Sequence, residues 1–134
     1  MINQCEKKPK IALVVEDSPT QAIHLQSMLE LRGIQVICAV NGRMGLRTAR
    51  QLHPDVIILD IQMPELNGFE VCQMLKASAD LADIPVILFT RCDTPEAVQL
   101  GLEYGAVDYI PKDAFSDAVL LETLRQMGIV DHGN

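Results

Sequence analysis

With 134 residues and 49% hydrophobic content, the chain is the size of one ordinary domain and can bury a real core without disulfides or a structural metal. A formal net charge of −7, an aromatic content of 4% and the absence of Trp argue against direct contact with nucleic acid or an anionic membrane, which need a cationic footprint, and against base stacking. The apolar runs at 11–15, 56–59 and 86–89 are too short to span a bilayer and the first ten residues too polar for a signal peptide, so the cytosol is the expected compartment.

Short β-rich apolar runs alternate with segments of helical period, which predicts an α/β fold with a parallel sheet covered on both faces. Residues 1–9 read as an N-terminal extension, 10–128 as one domain and 129–134 as a C-terminal tail. The first strand is Ile11 to Val15. Ser18-Pro19-Thr20-Gln21 then has the form of a capping box with proline at the first helical position, and Gly33 stops the helix. A second strand near Ile34 to Val40 leads through Asn41-Gly42 into a helix on which Met44, Ala49 and Leu52 are expected to face inward, ended by His53-Pro54-Asp55. The third strand, Val56 to Leu59, is apolar throughout and runs directly into Asp60. Asn67 to Glu70 has the form of a second capping box, followed by the apolar stripe Val71, Met74 and Leu75. Strand four, Val86 to Phe89, ends at Thr90. Thr94-Pro95 opens a fourth helix and Tyr104-Gly105 closes it; Val107 to Ile110 gives a fifth strand, and Leu120, Leu124 and Met127 mark a last helix.

In an open parallel sheet, ligands sit beyond the carboxyl ends of the strands. The polar residues there are Glu16 and Asp17 after strand one, Asp60 after strand three, Thr90 after strand four and Lys112 after strand five. Right-handed crossovers that reverse direction after strand two place strands one and three side by side, so three carboxylates converge. Each pair of such charges repels by about 4 kcal/mol at an intermediate dielectric, and a hard divalent cation is the natural compensation. Mg²⁺ suits a site with few carboxylate oxygens that is completed by a phosphoryl group. Lys112 as a mobile charge and Thr90 as a hydroxyl donor would complete a phosphoryl cradle.

Glu16-Asp17, Asp60 followed by Met63-Pro64 and Gly68, Thr90 and Lys112 together resemble the full pattern of response-regulator receiver domains. The resemblance runs from about Lys10 to Met127 and includes the stretch Gly105 to Ile110 ahead of the lysine. It implies a flavodoxin-like sheet of strand order 2-1-3-4-5 with about five helices, in a stand-alone single-domain member. It further implies that Asp60 takes a phosphoryl group from a phosphohistidine of a sensor histidine kinase or histidine phosphotransfer protein. Mg²⁺ or Mn²⁺ would be held by Asp17, Asp60 and the backbone carbonyl of Gln62, with Glu16 acting through water. Thr90 and Lys112 would bind the phosphoryl group, and Thr90 with Tyr109 would relay its arrival to the face of helix four, strand five and helix five. That face would meet a downstream protein effector or a second copy of the chain.

Two residues depart from the family pattern. Arg91 stands where the family commonly has a small residue, and Asp113 replaces the proline that usually follows the lysine with a cis bond; a cis bond before a non-proline costs about 3 kcal/mol, so the Lys112-Asp113 bond is expected to be trans. Gln62, Met63, Arg91 and Cys92 border the site and would modulate access to it. The chain is expected to be a phosphoacceptor regulator and no classical enzyme. A flavin-binding module is disfavoured because Glu16-Asp17 would repel a flavin phosphate, and an aspartate-nucleophile hydrolase because Gln62 occupies the position of the second acid. The closer rival is a receiver-like scaffold without a productive phosphorylation cycle. Cys5, Cys38, Cys72 and Cys92 form no C-x-x-C pair and read as reduced thiols, and His24, His53 and His132 have no metal-site spacing.

Overall fold

The computed structural model describes residues 8–130. Strands β1 (Ile11–Val15), β2 (Gln35–Ala39), β3 (Val56–Leu59), β4 (Val86–Thr90) and β5 (Asp108–Pro111) alternate with helices α1 (Pro19–Glu30), α2 (Gly42–Leu52), α3 (Gly68–Ala77), α4 (Pro95–Glu103) and α5 (Ser116–Gln126). The sheet is parallel throughout, in the order β2-β1-β3-β4-β5. Winding reverses after β2, so β1 and β3 are neighbours and Val15 lies beside Leu59. The residues that follow, Glu16 and Asp60, therefore leave the same rim of the sheet.

Side chains alternate across the sheet and build one apolar layer on each face. Leu13, Val15, Ile57, Leu59, Val86 and Leu88 pack beneath α2, α3 and α4, against Leu46, Ala49, Val71, Cys72, Leu75 and Ala97. Ala12, Val14, Val56, Ile58, Ile87 and Phe89 pack beneath α1 and α5, against Leu25, Leu29, Leu120 and Leu124. By this parity Thr90 belongs to the first face and Arg91, one residue past β4, to the second.

Helix starts follow the expected capping chemistry. Asn67 and Glu70 form a reciprocal box, Asn67 Oδ1 accepting the Glu70 amide at 3.0 Å and Glu70 Oε1 the Asn67 amide at 2.9 Å. At Ser18 only half a box forms: its Oγ accepts the Gln21 amide at 3.4 Å, but its own amide donates to Glu16 Oε2 at 3.2 Å. The Gln21 side chain is left for another use.

Three expectations about packing are corrected. Met44, Leu52 and Met74 are 40%, 42% and 46% exposed and do not face the core. The buried face of α2 is Gly42, Gly45, Leu46 and Ala49, whose small residues let the helix approach the sheet; a Cβ on Gly45 would lie 2.8 Å from a Val15 methyl. On α3 the buried apolar residues are Val71, Cys72 and Leu75. Strand five begins at Asp108, leaving Val107 54% exposed. Order also continues past Gly128: at φ +79° this residue reverses the chain so that its amide and that of Ile129 bond the Arg125 and Leu124 carbonyls, which buries Val130. Ile129 and Val130, the first two residues of the expected tail, are thus packed against the domain. The expectations for 131–134, for His132 and for the extension through residue 7 with Cys5 fall outside the described residues. No helix among the described residues is long and apolar enough to cross a membrane.

Candidate functional site

At the carboxyl rim of the sheet, one carboxylate oxygen from each of Glu16, Asp17 and Asp60 lies within 4.8 Å of the others. Glu16 and Asp60 are buried and Asp17 is exposed. Backbone pairing fixes the first two, since the Glu16 amide bonds the Ala39 carbonyl at 3.0 Å and the Asp60 amide the Val15 carbonyl at 3.1 Å. The turn after Asp60 is equally tight. Gln62 donates its amide to Asp60 Oδ1 at 3.2 Å, the buried Met63 bonds the Ile61 carbonyl at 3.0 Å, and Glu65 takes the left-handed φ of +69°. Gly68 closes it by donating to the Ile61 carbonyl at 2.9 Å, with no room for a side chain: a Cβ there would stand 2.3 Å from the Asp60 carbonyl oxygen.

Lys112 reaches this cluster from the end of β5 with its side chain only 12% exposed. Its amide bonds the Thr90 carbonyl at 2.7 Å, and its Nζ lies 2.8 Å from Glu16 Oε1, 3.5 Å from Asp60 Oδ2 and 5.5 Å from the Phe89 ring centroid. The same Nζ donates to Gln21 Oε1 on α1. The described residues contain no cis peptide bond, so Lys112-Asp113 is trans. Asp113 instead turns the chain into α5: its Oδ1 accepts the Phe115 amide at 2.7 Å, and its carbonyl the Ser116 hydroxyl at 3.0 Å.

Burial pushes the Glu16 carboxyl above its ordinary range; the hydrogen bond from Lys112 works against that shift, and the charge of Asp60 adds to it. One ammonium among three carboxylates leaves the cluster negative. The donor set is all oxygen, hard and under-compensated, which fits Mg²⁺ or Mn²⁺ and does not fit a soft metal.

Thr90 is fully buried, and its Oγ1 accepts the Cys92 amide at 3.4 Å. No hydrogen bond joins it to Asp60 among the described residues. Tyr109 points inward, 8% exposed, and donates its hydroxyl to the Cys92 carbonyl at 2.6 Å. Burial and this bond both raise the phenol's pKa. Gly101 on α4 makes the space, for a Cβ there would be 2.6 Å from Leu88 and 3.0 Å from the Tyr109 ring. Arg91 is exposed and borders a cleft of 440 Å³ between α1 and α5, with Gln21, His24, Phe89, Lys112 and Asp117 among its other walls. His24 pairs there with Asp117 at 2.5 Å, while His53 bonds the Asp80 carbonyl at 2.7 Å. Cys38, Cys72 and Cys92 are free thiols.

The structure thus brings together Glu16, Asp17, Asp60 and Lys112 and keeps Gln62 against Asp60. Thr90 and Tyr109 meet at Cys92 instead of at the carboxylates. Gln21 is the contact that sequence reasoning missed. Its signal was its place one turn beyond the acidic pair, but the capping-box reading assigned its side chain elsewhere.

Comparison with known proteins agrees with this geometry. The family model for the response regulator receiver domain matches residues 12–125. The chain is 43% identical over 112 residues to Protein PilH of Pseudomonas aeruginosa, covering 84% of this chain and 92% of that one. It is 35% identical over 119 residues to the response regulator MprA of Mycolicibacterium vanbaalenii, of which it spans only 50%. Among solved structures, the signal receiver domain of a histidine kinase from Syntrophus aciditrophicus superposes with a TM-score of 0.81 at 41% identity, covering 93% of this chain and 96% of that one. The receiver domain of the Pseudomonas aeruginosa sensor kinase PA1611, which carries a coordinated magnesium ion in its active-site cleft, gives 0.80 at 26% identity, covering 89% and 97%. On this sequence match, this strand order and these superpositions, the chain belongs to the response-regulator receiver-domain family, the phosphorylation-based signalling modules of two-component systems.

Proposed function

We propose that this protein is a cytosolic phosphorylation switch in which Asp60 accepts a phosphoryl group from a phosphohistidine on a sensor histidine kinase or histidine phosphotransfer protein. The observation that carries this reading is the meeting of Asp60, Asp17 and Glu16 with the Nζ of Lys112 at one rim of the sheet. A carboxylate oxygen of Asp60 attacks phosphorus as the bond to the donor imidazole nitrogen breaks, and the imidazole departs as the neutral ring, keeping the proton already on its other nitrogen. Such transition states are loose and highly charged, so the site works by positioning and neutralisation, with no separate general base.

Asp17 and Asp60 would hold Mg²⁺ or Mn²⁺ directly, with the Gln62 carbonyl; both oxygens of Glu16 are already engaged, by Lys112 and by the Ser18 amide, which supports a role for Glu16 through water. Bound there, the cation would neutralise the carboxylates and phosphoryl oxygens. The magnesium site of the PA1611 receiver domain supports this assignment. Lys112 and Thr90 bind the phosphoryl oxygens, and Gln62, Met63, Arg91 and Cys92 shape access.

Output runs through the face of α4, β5 and α5, toward a downstream protein or a second copy of the chain. Thr90 and Tyr109 share Cys92 as a partner, so a shift of Thr90 toward the phosphoryl group is felt by Tyr109 and the start of α4. Exposed Leu102, Val107 and Val119 sit on or beside the elements of that face. Incubation with a phosphorylated histidine kinase and Mg²⁺, read by intact mass, tests the reading. The wild type should gain one phosphoryl group and Asp60→Asn none; no gain from any donor that phosphorylates a related receiver would favour the scaffold reading. That second reading rests on Arg91 and Asp113; Lys112 reaches the carboxylates with Asp113 beside it, and Arg91 borders the adjoining cleft and not the carboxylate cluster itself, which supports the first reading.

A further inference from the structure

We infer that Gln21 is a positioning residue for Lys112: its side-chain carbonyl holds the ammonium on the α1 side of the site, short of Asp60, while the protein is unphosphorylated. An ammonium has three N–H donors. Those of Lys112 face Glu16 Oε1 at 2.8 Å, Gln21 Oε1, and Asp60 Oδ2 at 3.5 Å, the outer limit of a hydrogen bond. Two acceptors on the β1–α1 side thus outweigh one on β3. With only 12% of the side chain exposed, water has little access to replace a lost partner.

The local helix start is arranged for this. Gln21 occupies the position from which a capping box would send its side chain back to the Ser18 amide, yet Glu16 Oε2 takes that amide. Glu16 therefore bridges Ser18 and Lys112, and Gln21 is released to become the second arm of a clamp on the lysine. The chemistry of the arm matters as well. A neutral amide holds the ammonium without adding charge to a cluster that already contains three carboxylates, and it yields to a stronger acceptor. A phosphoryl group on Asp60 is such an acceptor, and Lys112 must stretch or break its bond to Gln21 to reach it. Gln21 consequently sets how readily the site closes on the phosphoryl group.

This consequence rests on Asp60 being the phosphoacceptor; the clamp itself does not. The full chain is therefore tested twice. In metal-free, unphosphorylated protein, NMR of the Lys112 ε-methylene and ammonium, assigned with Lys112→Arg, should report an ordered side chain in the wild type and a mobile one in Gln21→Leu. Calorimetric titration with beryllofluoride in Mg²⁺ should then give about tenfold tighter binding for Gln21→Leu, the low end of the effect of freeing one hydrogen bond to a charged group. Gln21→Glu, an acidic arm on the same stem, should weaken binding by a similar factor. Unchanged Lys112 order in Gln21→Leu overturns the clamp. Weakened binding in both variants, the result of a purely structural role in α1, overturns its effect on closure. If the wild type binds no beryllofluoride, the phosphoacceptor reading fails and the NMR result alone decides the clamp.

Discussion

Glu16 carries opposing electrostatic loads: burial and the Asp60 charge favour its protonated form, while Lys112 favours the carboxylate, and burial is the largest effect. Its folded-state pKa therefore lies above the ordinary value of 4.5. A group shifted this way contributes stability that is present below its unfolded pKa and lost as pH rises through the folded one. In metal-free protein, the stability of Glu16→Gln relative to wild type should accordingly grow from about pH 4.5 toward neutrality, measured by denaturant melts at stepped pH. A difference that shrinks over that window would contradict the assigned burial. Tyr109 offers a second test at this scale. Tyr109→Phe removes the bond to the Cys92 carbonyl and should cost about 1 kcal/mol, read as a shift in denaturant midpoint at constant slope. Asp60, Asp17 and Lys112 were legible in the sequence because each directly follows a strand, or lies one residue beyond one, and strand order fixes where strand ends meet. Gln21 was not, because which of two acceptors a backbone amide chooses is decided by a contact across 96 residues, between Lys112 and Glu16.

Between β3 and α3, the connection that carries Asp60 is held at both ends by backbone. Gly68 is the point where the helix start meets the strand end, and a methyl there would overlap the Asp60 carbonyl oxygen and sit 2.7 Å from Ile61 Cα. Backbone cannot give way as a flexible side chain does. Gly68→Ala should therefore destabilise by about 2 kcal/mol or more and impair phosphoryl uptake, whereas Asn67→Ala, one residue earlier, should cost about 1 kcal/mol through loss of the cap alone. Equilibrium unfolding with phosphotransfer on both variants separates the two; a Gly68→Ala protein with wild-type stability and uptake would mean that the loop relaxes freely. The elements themselves could be read from turn residues and apolar runs, which is why every strand and helix appears near its expected place. Inward faces were less legible. On α2 the apolar pattern chose Met44 and Leu52 along with Ala49; Ala49 is buried, but close approach to Val15 requires the small Gly45 beside it and leaves the two long side chains outside. On α5 the reversal at Gly128 carries Val130 back into the core, a fold-back that apolar periodicity alone does not reveal.

For the molecule as a whole, the carboxylate cluster is a place where folding concentrates negative charge in a chain already at −7. The unfolded chain disperses those carboxylates, so a divalent cation held by the cluster, as proposed, would bind the folded state preferentially and stabilise it by mass action. At a concentration one hundred times its dissociation constant this amounts to about 2.7 kcal/mol, or roughly 10 °C in melting temperature for a domain of this size. Scanning calorimetry should show that rise with MgCl₂ and a much smaller one with NaCl at equal ionic strength, since screening relieves repulsion only weakly at contacts this short. Asp17→Asn separates metal binding from screening. It removes an exposed carboxylate from the cluster, so the metal-free variant should melt no lower than wild type, yet most of the magnesium-dependent rise should vanish. An equal rise with both salts, or a magnesium effect that survives Asp17→Asn intact, would mean that the rim of the sheet is not where the cation acts.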